Sequence, residues 1–219
     1  MTRATFYFDL GSPFAYLAAE RIADVLAEPV DWQPISLGGL FKQNGRSSWG
    51  LGDPARRQAG MAEVQRRALA YGLPPVRWPD PWPGHYLMAM RAAIFARRAG
   101  RLHELAMCAF RDAFQAGRDL SIPERVLDAA RDAGLDPGEV EAATRDEEIK
   151  LALRQATDAA GRLGVFGVPT VVVDGEIFWG DDRLEDAAAH MAGRRRRTRP
   201  ATAEEIEARP GRPPLAGEG

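Results

Sequence analysis

Cysteine is almost missing from this chain: of 219 residues only Cys108 carries a thiol. No intrachain disulfide can form and no pair of thiols is present for disulfide exchange, which points to a reducing, cytoplasmic setting. Lysine is nearly as scarce, with Lys42 and Lys150 the two among 29 basic residues, and histidine occurs three times. No grouping of Cys, His and carboxylates has the spacing of metal ligands, and no glycine-rich phosphate cradle is present, so no metal is expected. Apolar runs stay well short of the roughly 20 residues that cross a bilayer. The first residues enter a strand-like pattern at once, so neither a membrane span nor a secretory leader is expected.

One-sided charge is absent too. The net charge is −2; from Arg194 onward seven arginines face four glutamates, leaving about −5 on residues 1–193. An acidic body is poor material for a nucleic-acid surface, and no nucleic-acid partner is expected. The Arg194–Arg197 run suits an anionic partner, but Pro, Gly, Ala and Glu dominate the residues beyond it. Residues 194–219 are therefore read as a disordered basic tail.

What is present is 45% hydrophobic and 27% charged, a soluble globular balance. Residues 4–9 (Ala-Thr-Phe-Tyr-Phe-Asp) read as a strand, broken by Gly11 and Ser12. Pro13 stands at a first helical position behind Ser12 as a candidate N-cap. Phe14, Leu17, Ala18, Ile22 and Val25 continue at helical spacing, giving a helix to about Ala27. Val30 to Ile35 reads as a second strand, and strand–helix–strand at this length is a right-handed parallel unit.

From Gly38 to about Leu163 the pattern is helical only. Helices are expected over 54–71, 86–99 and 101–116, then behind Pro123, behind Asp136, and finally through Ile149, Leu153, Ala156, Ala160 and Leu163. Pro74, Pro75, Pro79, Pro81 and Pro83 make a stiff connection in the middle. Pro169–Val173 and Glu176–Trp179, joined by Asp174-Gly175, form a hairpin, and a helix over 183–192 closes the fold. The layout is an α/β fold: residues 1–37 with 164–193 form one domain, and residues 38–163 a helical insertion.

Two segments flank the insertion and should meet at one end of the sheet: Phe8-Asp9-Leu10-Gly11-Ser12-Pro13-Phe14-Ala15-Tyr16-Leu17 and Gly164-Val165-Phe166-Gly167-Val168-Pro169-Thr170. Leu37-Gly38-Gly39-Leu40-Phe41-Lys42 opens the insertion, and Phe178-Trp179-Gly180-Asp181-Asp182-Arg183-Leu184 comes after the hairpin. In this order, over about residues 4–192, the chain resembles the DsbA-like thioredoxin superfamily. Within it, the chain is similar to the 2-hydroxychromene-2-carboxylate isomerases and kappa-class glutathione transferases. The resemblance implies a thioredoxin-like fold with a helical insertion between the βαβ and ββα halves, and a homodimer.

Where disulfide-exchanging relatives carry Cys-Pro-x-Cys, this chain reads Ser12-Pro13-Phe14-Ala15. Without those sulfurs, the Ser12 hydroxyl and a helix N-terminus remain, which together can stabilise a thiolate brought by a ligand. Ser12 is equally suited to plain N-capping. The resemblance implies glutathione as cofactor, a cis Val168–Pro169 bond whose Val168 backbone pairs with the peptide, and Asp182, with Asp181 beside it, for the γ-glutamyl ammonium. Capping is the other reading of the two aspartates.

The insertion entry departs from the isomerase pattern. Arg46 stands where an asparagine is usual, Asn44 lies two residues earlier, and Pro83-Gly84-His85-Tyr86 replaces Pro-x-Asn-Thr. Lys42, Asn44, Arg46 and His85 are the candidate substrate-binding residues, and Arg46 has the geometry to grip a carboxylate in bidentate fashion. Lys42 and Arg46 are also ordinary surface residue types. Trp49, Trp78 and Trp82 suit either an aromatic pocket or a core, and Cys108, mid-helix among apolar residues, reads as an inert core thiol. The expected activity is a glutathione-dependent isomerase acting on a small electrophilic, aromatic-derived substrate. A kappa-class-like transferase and a non-catalytic glutathione- or peptide-binding protein are the alternatives.

Overall fold

The computed structural model describes residues 4–26 and 28–193. The tail expected from Arg194 lies outside the described residues. Four strands form one sheet: β1 (Ala4–Phe8), β2 (Asp31–Pro34), β3 (Thr170–Val173) and β4 (Glu176–Trp179). Their order is β2–β1–β3–β4, with β1 parallel to β2, antiparallel to β3, and β3 antiparallel to β4. The hairpin between β3 and β4 turns through Asp174 at φ 50° and Gly175 at φ 89°, the paired positive angles that an Asp-Gly turn favours.

Alternation along β1 buries both of its faces. Phe6 and Phe8 point to one side, where Trp32 meets both rings edge-on and Phe110 lies 5.8 Å from Phe8. Tyr7 points to the other side, into a smaller cluster with Ile35, Leu40, Ala160, Val165 and Val168. Each fully buried ring or aliphatic side chain contributes about 2 kcal/mol, so both faces hold the sheet in place.

The helix expected from Pro13 to Ala27 is two helices, α1 (Pro13–Ala19) and α2 (Ile22–Val25). At Arg21 the backbone tightens to a bond with Ala18 three residues back. The Arg21 guanidinium stacks 3.7 Å from the Tyr71 ring centre and donates to the Asp181 carbonyl at 3.1 Å. Contacts from remote segments thus meet at the residue where the helix breaks.

The insertion begins with α3 (Leu37–Gln43), a short 3₁₀ turn over Trp49–Leu51, and α4 (Pro54–Ala70). It continues with α5 (Leu87–Arg98), α6 (Leu102–Phe114), α7 (Pro123–Asp132), α8 (Pro137–Arg145) and α9 (Glu147–Arg162). Proline opens α1, α4, α7 and α8, where its missing N–H costs nothing. Side chains of Ser36, Asp53, Asp136 and Asp146 accept the first free amides of their helices. A 3₁₀ turn (Asp181–Arg183) leads into the closing helix α10 (Leu184–Met191).

α6 packs against α1 on the Phe6 and Phe8 side, while α9 crosses near β2 and α3 on the other. The cross-link to α9 is polar as well: the Ser36 N–H donates to Thr157 Oγ1 at 3.0 Å. Between α4 and α5 the proline-rich connection holds cis bonds at Asp80–Pro81 and Trp82–Pro83. No helix among the described residues is long and apolar enough to cross a membrane.

Candidate active site

The loops after β1, after β2 and before β3, together with the insertion, enclose a cavity of about 550 Å³. Ser12, Val168 and Pro169 all line it. Ser12 caps α1: its Oγ accepts the Ala15 N–H at 3.2 Å, its own N–H donates to the Asp9 carbonyl at 3.0 Å, and it is only 5% exposed. The hydroxyl oxygen is thereby held from behind, and no acceptor among the described residues takes its proton. Capping and donation use different parts of one hydroxyl, so the two readings of Ser12 are compatible.

The Val168–Pro169 bond is cis. The Pro169 carbonyl accepts the Gly180 N–H at 3.0 Å, tying this turn to the end of β4. No backbone hydrogen bond reaches Val168 among the described residues. Unpaired backbone lining a cavity is what an extended peptide pairs with.

Asp9 is the buried carboxylate beneath this corner, 6% exposed. One oxygen accepts the Gly11 N–H at 2.8 Å and the other the Leu37 N–H at 2.7 Å. It therefore stitches the loop carrying Ser12 to the start of α3. Burial pushes its carboxyl up to about 6, with the two amide donors pulling against that rise.

Asp181 is 1% exposed, and both of its oxygens are engaged by protein: Arg67 Nη1 at 2.8 Å and the Tyr71 hydroxyl at 2.9 Å. Asp182 lines the cavity with its nearer oxygen 3.4 Å from the same Arg67 nitrogen. Burial opposes the Arg67 charge, but Asp181, Glu63 and Asp182 outweigh it and hold the guanidinium above its usual range. Burial pushes Asp181 upward, while Arg67 pulls it back. The charge on Arg67 is the firmer of the two directions, because three carboxylates face it.

On the opposite wall, Trp49, Trp78 and Trp82 form one aromatic cluster, with Trp82 centred 4.8 Å from Trp49 and 4.7 Å from Trp78. Trp49 and Trp82 line the cavity and Trp78 backs them. Lys42 and Arg46 line it as well; neither has a carboxylate partner among the described residues, and Arg46 sits 5.4 Å over the Phe166 ring. Asn44, the C-cap of α3, and His85 are exposed and lie outside the cavity lining. Cys108, on α6, is half-buried and also outside it. Among the described residues, no cluster of His, Cys, Asp and Glu has the makings of a metal site.

Among the lining residues that the sequence did not single out as site residues are Asp9, Arg67 and Tyr86. Asp9 stood inside the Phe8–Leu17 segment, and its place three residues before Ser12 was the available signal. Tyr86 stood in the segment that departs from the isomerase pattern. Arg67, one of four arginines on α4, carried no signal at all.

The chain belongs to the DsbA-like thioredoxin domain family, whose model matches residues 4–192. It is 28% identical over 197 residues to the 2-hydroxychromene-2-carboxylate isomerase of Sphingobium xenophagum, covering 85% of this chain and 96% of that one. It is 25% identical over 204 residues to glutathione S-transferase kappa 1 of Homo sapiens, covering 85% and 89%. A solved structure of a 2-hydroxychromene-2-carboxylate isomerase superposes with a TM-score of 0.73 at 23% identity, covering 87% of this chain and 94% of that chain, and shares the fold.

Proposed function

We propose that this protein is a glutathione-dependent enzyme, an isomerase of the 2-hydroxychromene-2-carboxylate isomerase type, in which Ser12 stabilises the glutathione thiolate. The observation that carries the reading is the Ser12 hydroxyl. Its oxygen is pinned by the Ala15 amide at 3.2 Å, its proton is left to donate, and it lines a cavity wide enough for a tripeptide and a small second molecule. Bound glutathione supplies a sulfur nucleophile. Ser12 donates to that sulfur and favours its charged form. With α1 only seven residues long, the hydroxyl matters more here than the dipole of a long helix.

The residues around Ser12 fit a peptide. Val168 offers unpaired backbone to the cysteinyl segment. Asp182 faces the γ-glutamyl ammonium, while Asp181, with its oxygens given to Arg67 and Tyr71, sets the turn that presents Asp182. The names of the two curated relatives, an isomerase and a glutathione transferase, support the same reading. Across the cavity, Trp49 and Trp82 supply a surface for an aromatic electrophile, and Lys42 and Arg46 supply positive charge for an anionic group on it.

A kappa-class-like transferase is the second reading, because it begins with the same activated sulfur. The test is glutathione binding with the thiolate ultraviolet absorbance followed against pH, for wild type and Ser12→Ala. The expected result is a bound thiol acidified by a unit or more, each unit being about 1.4 kcal/mol, with that shift lost in the variant. Absence of binding at millimolar glutathione ends the reading. Binding without acidification in either protein leaves a peptide-binding protein on the same scaffold.

A further inference from the structure

Tyr86 is the N-cap residue of α5, and its ring packs directly against Gly11, the residue before Ser12. A Cβ at Gly11 would stand 2.2 Å from Tyr86 Cδ2 and 2.4 Å from Cε2, so nothing separates the ring from the Ser12 loop. The Tyr86 hydroxyl accepts the Gly84 N–H at 2.8 Å. No acceptor among the described residues takes its proton. Ser12 and Tyr86 therefore line one cavity in the same condition: each oxygen is fixed by a backbone amide, and each proton is unspent.

The two hydroxyls come from different walls. Ser12 comes from the loop after β1, and Tyr86 from the start of α5 in the insertion, on the side of the Trp82 ring. Trp82 joins the two: its Nε1 donates to the Gly11 carbonyl at 3.3 Å, and its ring stands next to Trp49. We propose that Tyr86 is a catalytic residue whose hydroxyl donates a hydrogen bond to a carbonyl oxygen of the electrophile. This rests on the glutathione reading and names the electrophile as a conjugated aldehyde or ketone.

The chemistry is set by where charge moves. When a sulfur nucleophile adds to the β-carbon of a conjugated carbonyl, a C–S bond forms and the C=C electron pair shifts toward the carbonyl. The carbonyl π pair then rests on oxygen. A fixed O–H aimed at that oxygen stabilises the developing charge. Water later delivers a proton to the α-carbon, replacing the one the thiol released. Loss of the added proton and sulfur returns the starting atoms, and rotation in between yields the isomer. Burial, helped by Asp119 and Asp9 and opposed by the Gly84 amide, pushes the Tyr86 phenol up to about 12. The group stays protonated throughout the neutral range and acts as a donor.

The test uses benzylideneacetone as the electrophile probe. In the absence of glutathione, its C=O stretch is read by infrared difference spectroscopy on wild type and on Tyr86→Phe. Wild type is expected to move the bound stretch to lower wavenumber, and Tyr86→Phe to leave it at the free value. With glutathione, Tyr86→Phe is expected to lose about a hundredfold in turnover of this ketone, to keep the wild-type thiolate titration, and to change the rate with benzyl chloride by less than about twofold. Benzyl chloride reacts by displacement and develops no oxyanion. The unchanged titration certifies that the variant is folded. An unshifted carbonyl in wild type, equal ketone rates in both proteins, or equal losses with both probes each overturn the proposal. None of those results touches the thiolate titration, which alone decides the glutathione reading.

Discussion

Arg67, on α4 of the insertion, places Nη1 2.8 Å from Oδ1 of Asp181, which stands just beyond β4 at the end of the sheet. The two residues are 114 positions apart, and side-chain exposures of 16% and 1% put the contact inside the molecule. Tyr71 takes the other Asp181 oxygen, and Arg21 takes its carbonyl. Sheet, first helix break and insertion are thus fastened at one residue next to the proposed glutathione site.

Breaking that contact from the cation side leaves Asp181 buried with Tyr71 alone. Arg67→Met is expected to cost about 3 kcal/mol of stability in urea unfolding. Adding Asp181→Asn should recover part of the loss, since a neutral amide is cheaper to bury than an unpaired charge. A single-variant cost below about 1 kcal/mol, or a double variant worse than the single, would show that the pair is solvated and structurally idle.

Ser12 carries two roles that separate by substitution. Ser12→Ala loses the cap and is expected to lose about 1 kcal/mol of stability. Ser12→Gly also lacks the hydroxyl, but glycine is a tolerated cap, so its stability loss should be a few tenths of a kcal/mol. Both variants should lose the acidification of bound glutathione to the same extent. If acidification tracks the stability loss instead, the hydroxyl acts through the fold and not on the sulfur.

Asp9 gives the pH dependence its sign. Its carboxyl rises from an ordinary 3.8 to about 6 in the folded protein, so the folded state holds the proton more tightly than the unfolded chain. The stabilising contribution is complete below pH 3.8 and is lost as pH rises through 6. Wild type should therefore gain about 1 kcal/mol relative to Asp9→Asn between about pH 7.5 and about pH 5, measured by urea unfolding of both proteins at each pH. Titrations elsewhere cancel in that difference. A flat difference would place the Asp9 carboxyl in contact with water, and an opposite slope would mean that its two amide donors outweigh burial.

Most of the frame was legible because its signals are local. Asp174-Gly175 marked the hairpin, Asp136 and the first-turn prolines marked helix starts, and the aromatic and β-branched run over residues 4–9 marked β1. The run from Phe14 to Val25 misled because apolar spacing continues across a break where Arg21 reaches Asp181, 160 residues away. Ser12, Val168 and Asp182, which line the cavity, stand in motifs lying close to the chain turns that present them. Arg67 was not, because its meaning depends on α4 meeting the segment after β4. Asn44 and His85 were carried by position in the family pattern, and they lie outside the cavity lining, each in a segment where this chain departs from that pattern, residues 44–46 for Asn44 and 83–86 for His85. Tyr86, in the same segment, came into view only when its ring was seen against Gly11.

That packing yields the last prediction. Gly11 lies outside the positive-φ residues, so alanine is tolerated by the backbone and the penalty comes from the ring. A Cβ 2.2 Å from Tyr86 Cδ2 cannot coexist with the present position. Tyr86 must swing away, giving up the Gly84 amide and, with it, the proposed hold on the carbonyl of the electrophile. Gly11→Ala is expected to cost about 1–3 kcal/mol and to depress ketone turnover together with the infrared shift. In a Tyr86→Ala background the obstacle is gone, so the same substitution should cost much less, and a double-mutant cycle in urea unfolding should show a coupling of about 1 kcal/mol or more. Additive effects would mean that Gly11 is needed for its own backbone, through the Asp9 and Trp82 contacts, and that the ring does not rest on it.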